Sequence, residues 1–438
     1  MLGRSKGGLV ARLFGASLIM QAMLSAANFL VGMILIRRTS DIQYGYFVLA
    51  GNALMLASGV QTALLQPRLV LDMTTFDQEG RSDLIGGLLR LRTHALPPLL
   101  LGGILLTLGL WLAKAVDTEL MMIICVTLAT LLGSLSRDFF RLILFAHHRP
   151  QDVLKADAVY VALLVTGVFC ATLAPFPAFT AIAALGAAAL VGRALLSRAV
   201  WRYEAWKIPG APGMLGRIGS LGLWSTAGAA IHWALSQGYN YLVAGMLAVP
   251  AVASIAQTRL LMMPVNLISV GVGSMLFPMT CKWVHDLGLM PALRRLLLFT
   301  AVIVCAALAY FVFMWWFRGW IFTDLLRKHV PQRDSLLMLW CAVFTLMLIR
   351  DQLVNLLTAL AQYRRLTMLT GVSAVISLAF SFFAMQRFGV SGAVAGVGVG
   401  ELSNVIGIVV LIVLEVKKDN RGPPAADAQQ PPPGEFQT

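Results

Sequence analysis

Charge is scarce in this chain, and one sign of it especially. Only 12% of the 438 residues are charged and 20 are acidic, against 58% hydrophobic. A soluble domain carries about 25% charged residues, and no aqueous core could absorb this much apolar surface. Cysteine is sparse too. Cys125, Cys170, Cys281, Cys305 and Cys341 are odd in number and mostly lie within apolar runs, which excludes a metal pattern or a disulfide framework. No phosphate-cradling glycine loop, zinc-binding helix motif or dinucleotide glycine pattern occurs in its required context. Nothing pairs a nucleophile with a base. His147-His148 reads as a solvated or headgroup contact rather than a metal site. No catalytic residue, metal or cofactor is therefore expected, and the chain does not read as an enzyme.

What is present is a succession of apolar runs, each close to the roughly 20 residues needed to cross a bilayer. About twelve can be marked, at 13–36, 44–67, 93–113, 120–145, 156–174, 178–200, 219–247, 250–280, 295–317, 335–360, 367–386 and 392–416. The fold class is an all-α polytopic membrane protein. The first run follows Arg4 and Arg12 but is longer than a signal-peptide core, so it is expected to be an uncleaved helix. With the N-terminus in the cytoplasm, 22 of the 34 Lys and Arg fall on cytoplasmic segments, eight on the other side, and four (Arg137, Arg141, Arg259, Arg350) within spans. This bias places both termini inside. The net charge of +14 is thus mostly topology, and nucleic acid is not an expected partner.

The chain also repeats. Arg137-Asp138 and Arg350-Asp351 are the same dipeptide, 213 residues apart. Asn28-Phe-Leu-Val matches Asn240-Tyr-Leu-Val at an offset of 212, and Pro67 matches Pro278 at 211. A polar break rich in Pro and Gly separates the copies. The expected organisation is an N-terminal six-helix lobe over 1–200, a cytoplasmic linker over 201–218, a C-terminal six-helix lobe over 219–416 and a disordered Pro-rich tail over 417–438. An even number of spans per half makes the repeat parallel, an arrangement found in transporters.

Ionisable groups at membrane depth are functional candidates by default. Arg137 lies about 12 Å and Arg350 about 15 Å from the cytoplasmic ends of their helices at 1.5 Å per residue. Each needs a carboxylate, carbonyl groups or a wet cavity. The neighbouring Asp138 and Asp351 are expected to reach other helices, since adjacent positions do not face each other. Because both lobes carry the pair, it reads as lobe bracing or gating, with a direct part in transport as the other reading. Arg141, Arg259, Arg37 and Arg38 have no counterpart in the other half, so they are the better substrate candidates; headgroup snorkelling is the alternative. Glu401 is a candidate for binding a coupling proton or cation. Gln21, Asn28, Gln61, His232, Gln237, Asn240, Gln257 and Asn266 put polar points into the first, second, seventh and eighth spans. They fit a wet cavity between the lobes, or else interhelical hydrogen bonds.

Asn28-Phe-Leu-Val-Gly-Met-Ile-Leu-Ile-Arg37-Arg38-Thr-Ser-Asp-Ile-Gln-Tyr-Gly45 resembles the opening of polysaccharide and O-antigen flippases, within the multidrug/oligosaccharidyl-lipid/polysaccharide exporter superfamily. Arg137-Asp-Phe-Phe-Arg141 through His147-His-Arg-Pro150 is similar to that family's fourth span and inner loop, and Leu276-Phe-Pro278 to the close of its eighth. The likeness covers residues 10–416. It implies a MATE-like fold of two rocking lobes that carries an undecaprenyl-diphosphate-linked oligosaccharide across the bacterial inner membrane for polysaccharide biosynthesis, by alternating access. Cavity cations would hold the diphosphate while the prenyl tail stays in lipid. A charged diphosphate and its sugars face a large desolvation barrier in hydrocarbon, and arginine's bidentate fork suits phosphate. The expected diphosphate and sugar contacts are Arg259, Arg141, Arg37, Arg38, Asn28, Asn240 and Gln257. The expected partners are the lipid-linked substrate, the bilayer, and a polysaccharide polymerase with other assembly proteins. One alternative is a drug or cation antiporter of the same superfamily, although the first span lacks the acidic residue that the drug-exporting branch can carry there. Others are a polymerase or membrane glycosyltransferase, for which the outer loop offers only Asp324 and Asp334 as acids, and a non-transporting scaffold.

Overall fold

The computed structural model describes residues 3–204, 206 and 214–419. Most of the linker's centre and the tail beyond Asp419 lie outside the described residues. The described chain is nearly all helix, with no strand. In a bilayer every backbone polar group must be satisfied within its own segment, which helices achieve.

The first half supplies α1 (Gly3–Arg38), α2 (Asp41–Thr75), α3 (Gln78–Leu112), α4 (Thr118–Ala146), α5 (Pro150–Ala171) and α6 (Pro177–Trp201). The second supplies α7 (Met214–Gln237), α8 (Tyr239–Leu247), α9 (Val249–Leu260), α10 (Met263–Leu287), α11 (Leu289–Trp320), α12 (Arg333–Ala359), α13 (Tyr363–Phe388) and α14 (Val390–Asp419). Eleven helical segments among the described residues are long and apolar enough to cross a membrane. Prolines at the first turn start α5 and α6, where a missing N–H costs nothing. The predicted seventh and eighth spans, 219–247 and 250–280, are each broken in two. The chain turns at Gly238 between α7 and α8, and at Leu261–Met262 between α9 and α10. Ala248 joins the two pairs at φ 78°, a left-handed conformation uncommon for a side chain with a Cβ. Hydropathy averaged over a whole span passes over both breaks, although Ser236-Gln-Gly-Tyr-Asn240 around the first and Pro264 after the second mark them locally.

Helices pack mainly within their own half. In the first, α4 and α5 lie on α6, α1 on α5 and α2 on α4; in the second, α13 and α12 lie on α14 and α10 on α12. The α13–α14 seam is the tightest. Gly392, Gly396 and Gly400 lie one turn apart and face Ala384, Ser381 and Ser377, with no room for a Cβ. The halves meet where α2 packs on α7 and α9, and α1 on α9 and α10. Five side-chain hydrogen bonds join them through residues 39–52. Lys328 donates to the Thr39 carbonyl and to Asp41, and Gln257 donates to the same Asp41 oxygen. Tyr241 donates to the Leu49 carbonyl and the Trp233 indole to that of Asn52. These bonds close the lobes at the end of the bundle that carries Arg38.

Candidate functional site: two buried ion clusters and an arginine without a carboxylate

The first cluster forms where α2, α4 and α5 meet. Arg137 and Arg141 are four residues apart and share one face of α4. Both reach Asp157 on α5, Arg137 at 2.6 Å and Arg141 at 3.2 Å. Asp157 is 0% exposed. The Arg137 guanidinium also lies 3.7 Å from the centre of the Tyr160 ring. Asp138 accepts a hydrogen bond from Ser58 on α2 and lies 3.6 Å from Arg137 and 3.8 Å from Arg141. Two cations thus face two carboxylates.

The second cluster is built on α10, α12 and α14. Arg350 donates to both carboxylate oxygens of Glu401 at 2.6 Å and to Asp351 at 2.8 and 3.1 Å. Asp351 accepts from Ser269 at 2.9 Å. Here one cation faces two carboxylates. Each aspartate does reach another helix, at Ser58 and at Ser269, but each also pairs with its own neighbouring arginine, against expectation, loosely at Arg137-Asp138 and closely at Arg350-Asp351. A long arginine side chain can fold back over its own helix, and Asp351 is partly exposed and free to meet it.

The clusters are related, but not as copies. Ser58 and Ser269 stand 211 residues apart, the same offset as Pro67 and Pro278, and each holds the aspartate of its own Arg-Asp pair. The buried acid facing each arginine, however, comes from α5 in one half and α14 in the other, which are not equivalent helices. Asp157 was missed in the sequence reading, although an acid inside the predicted span 156–174 is the same signal that singled out Arg137. The serine pair was legible at the repeat offset as well.

Arg259, at the end of α9, is different. It donates to the Gln237 side-chain carbonyl at 2.7 Å and to the Tyr239 hydroxyl at 3.2 Å, and lies 5.5 Å from the centre of the Trp340 ring. Asn240 donates to the same Gln237 oxygen at 3.4 Å. Among the described residues Arg259 is the one of the four predicted intramembrane arginines with no carboxylate ion-pair partner. The other predicted contacts are dispersed. Gln257 is committed to Asp41. Asn28 is exposed on α1. Arg37 and Arg38 are exposed in the last turn of α1, with Arg38 4.5 Å from the Phe169 ring centre. The structure therefore assembles Arg259 with Asn240 through Gln237, groups Arg141 with the first cluster, and keeps Arg37, Arg38 and Asn28 apart from both.

A further cluster ties the start of the inter-lobe segment to the first half. Glu204, 1% exposed, accepts from Arg81 at 2.8 Å and from Ser82 at 3.2 Å, with His147 at 3.5 Å. Burial holds the His147 pKa below the usual histidine value, and nearby Glu204 opposes that shift.

No family model matches the sequence, and no curated protein matches it either. Solved structures do match in fold. An inward-facing multidrug resistance MATE family transporter of the MOP superfamily superimposes with a TM-score of 0.75 at 14% identity, covering 92% of this chain and 96% of that one. The outward-facing form of such a transporter gives 0.61 at 14% identity, covering 95% and 97%. The lipid II flippase MurJ in an inward closed conformation gives 0.72 at 9% identity, covering 92% and 87%. The chain thus has the MATE-like transporter fold, with two lobes of membrane-spanning helices. Together with the long apolar helices, this fold makes the chain a multi-pass membrane protein.

Proposed function

We propose that this protein is a flippase for an undecaprenyl-diphosphate-linked oligosaccharide in polysaccharide biosynthesis. It would work by alternating access in the bacterial inner membrane with both termini cytoplasmic. Lobes over 1–200 and 219–416 would rock about the 201–218 segment, and a polysaccharide polymerase would take up the product. In this orientation the bonds through residues 39–52 close the periplasmic side. The observation that carries the reading is Arg259. The charges of Arg137, Arg141 and Arg350 are already met by Asp157, Asp138, Glu401 and Asp351. Arg259 bonds directly only to neutral acceptors and lies near an aromatic ring, with the Glu401 carboxylate, already bound by Arg350, acting on it at longer range. Its charge is available to an incoming diphosphate, which would exchange the Gln237 and Tyr239 bonds for stronger charge-assisted ones. Its position where helices break suits a transporter binding site. The test is transport of a fluorescent lipid-linked oligosaccharide in proteoliposomes. Arg259→Ala is expected to lower it at least tenfold and Arg259→Lys by less. Full transport by Arg259→Ala would sink the assignment.

One observation favours a second reading, a drug or cation antiporter. Asp351 and Glu401 share one arginine; Ser373 and Ser377 pack against the neighbouring Gly400, Asn404 follows Glu401 by three residues, and each of these buried side chains retains an oxygen without a partner. A coupling cation or proton would be drawn to such a place. Export of cationic dyes driven by an ion gradient and abolished in Glu401→Gln, together with intact polysaccharide export in a deletion strain, would favour the antiporter.

A further inference from the structure

A lipid-linked substrate whose charged head passes between two lobes must lead its hydrocarbon tail out through a seam between them. The lobes meet along two seams, α1 with α9 and α10, and α2 with α7, α8 and α9. At the first, the Leu260 side chain packs directly against Gly32, its methyl 2.9 Å from where a Cβ would stand. At the second, the surfaces part around a cavity of about 430 Å³, largely open to the outside and lined by Ala53, Leu56, Ala57, Val60, Trp233 and Tyr241. The α2 residues follow an i, i+3, i+4, i+7 pattern and so form one apolar face. Two alanines hollow that face.

The opposite wall is the Trp233–Tyr241 pair, ring centres 5.6 Å apart. Both rings carry a polar atom, and both atoms are already engaged. The indole N–H is 2.9 Å from the Asn52 carbonyl and the phenol is 2.9 Å from the Leu49 carbonyl. The cavity is left with hydrocarbon walls, which suit an apolar chain and reject a headgroup. Its α2 face begins 12 residues after Asp41, about 18 Å along the helix, which places it inside the roughly 30 Å hydrocarbon core. The same short stretch of α7–α8 serves both the cation and the cavity. Gln237 and Tyr239 hold Arg259, while Trp233 and Tyr241 line the cavity, on either side of the turn at Gly238.

We propose that the α2–α7 cavity is the slot for the first isoprene units of the carrier lipid while its diphosphate is held at Arg259. This assignment rests on the flippase reading. It also gives Trp233 and Tyr241 a role as side-chain walls that must part when the lobes rock, releasing the tail.

The test uses the full-length protein in nanodiscs with a polyprenyl diphosphate carrying a photoactivatable diazirine on its chain. Labelled peptides are mapped by mass spectrometry with and without excess unlabelled polyprenyl diphosphate. Competable labelling within residues 53–60 or 233–241, reduced at least fivefold by Ala57→Trp and by Ala53→Leu, is the expected result. Both variants are first checked for monodisperse elution, and the milder one serves if the larger side chain prevents folding. Competable labelling confined to the α1–α10 seam would overturn the slot and leave the flippase reading standing. Equal competition by an ordinary phospholipid would also overturn it, since the cavity would then be a general lipid contact. Absence of competable labelling anywhere would overturn both.

Discussion

Asp157 offers the sharpest test of how the membrane-embedded charges are held. It is fully buried and serves two arginines, at 2.6 and 3.2 Å. Asp157→Asn keeps the volume but removes the charge, and it can set an amide nitrogen against a guanidinium. Removing one partner from a buried ion pair costs about 3–5 kcal/mol. Two cations lose their partner here, which argues for the upper part of that range. Asp138 remains 3.6 and 3.8 Å from them, which argues for the lower. We expect about 3 kcal/mol. The matched control is Asp351→Asn. Its carboxylate is 34% exposed and Arg350 keeps both bonds to Glu401, so a loss of about 1 kcal/mol or less is expected. The measurement is reversible unfolding in mixed SDS micelles, read by tryptophan fluorescence. Heat unfolding of such a protein would report a rate instead. Combining Asp157→Asn with Arg141→Leu should recover part of the loss, a coupling of about 0.5–3 kcal/mol. If Asp157→Asn costs no more than Asp351→Asn, the reasoning from burial and partner count is wrong.

Other consequences can be checked separately. Asp41→Ala should loosen the closed end, because it removes the acceptor shared by Gln257 and Lys328. In a background with the five native cysteines replaced, a cysteine at Tyr44 should then be alkylated several-fold faster from the Arg38 side; an unchanged rate would remove Asp41 from the gate. Gly396→Ala should cost about 1–3 kcal/mol by overpacking. Ser381→Ala should not rescue it, because the new Cβ would also meet the Ser381 backbone N and Cα at 2.5 and 2.6 Å; a rescue would show that only the hydroxyl was in the way. His147, held below the usual value of 6.5, binds fewer protons folded than unfolded as pH falls through that value. Stability is therefore present above it and lost on further acidification. His147→Gln should flatten the decline between pH 7.5 and 5.5, and an unaltered slope would assign the decline to other groups.

Much of the architecture was legible because hydropathy and spacing survive in one dimension. The run lengths marked nearly every membrane helix, and the Arg-Asp, Asn and Pro offsets marked the two halves. The breaks at Gly238 and Leu261–Met262 did not show in the run lengths, since hydropathy averaged over a span hides a turn as short as Ser236-Gln-Gly-Tyr-Asn240. The site was legible in its members more than in its pairings. Arg137, Arg141, Arg350 and Glu401 stood out as ionisable groups among apolar ones. That Glu401 belongs to Arg350, and that Gln257 belongs to Asp41, depends on how helices distant in sequence are rotated against one another. Arg37 and Arg38 resembled Arg259 as unmatched cations, and only their exposure at the end of α1 separates them.

The sequence by itself determined that this is a membrane-spanning helical protein in two related halves, because the cost of placing polar backbone and charge in hydrocarbon acts on each segment separately. Tertiary structure alone decided which charges are neutralised. Compensation is a property of pairs set by helix packing, so a repeated Arg-Asp dipeptide became one balanced cluster and one acid-rich cluster. The same packing left Arg259 hydrogen-bonded to neutral groups alone, without a carboxylate ion pair among the described residues.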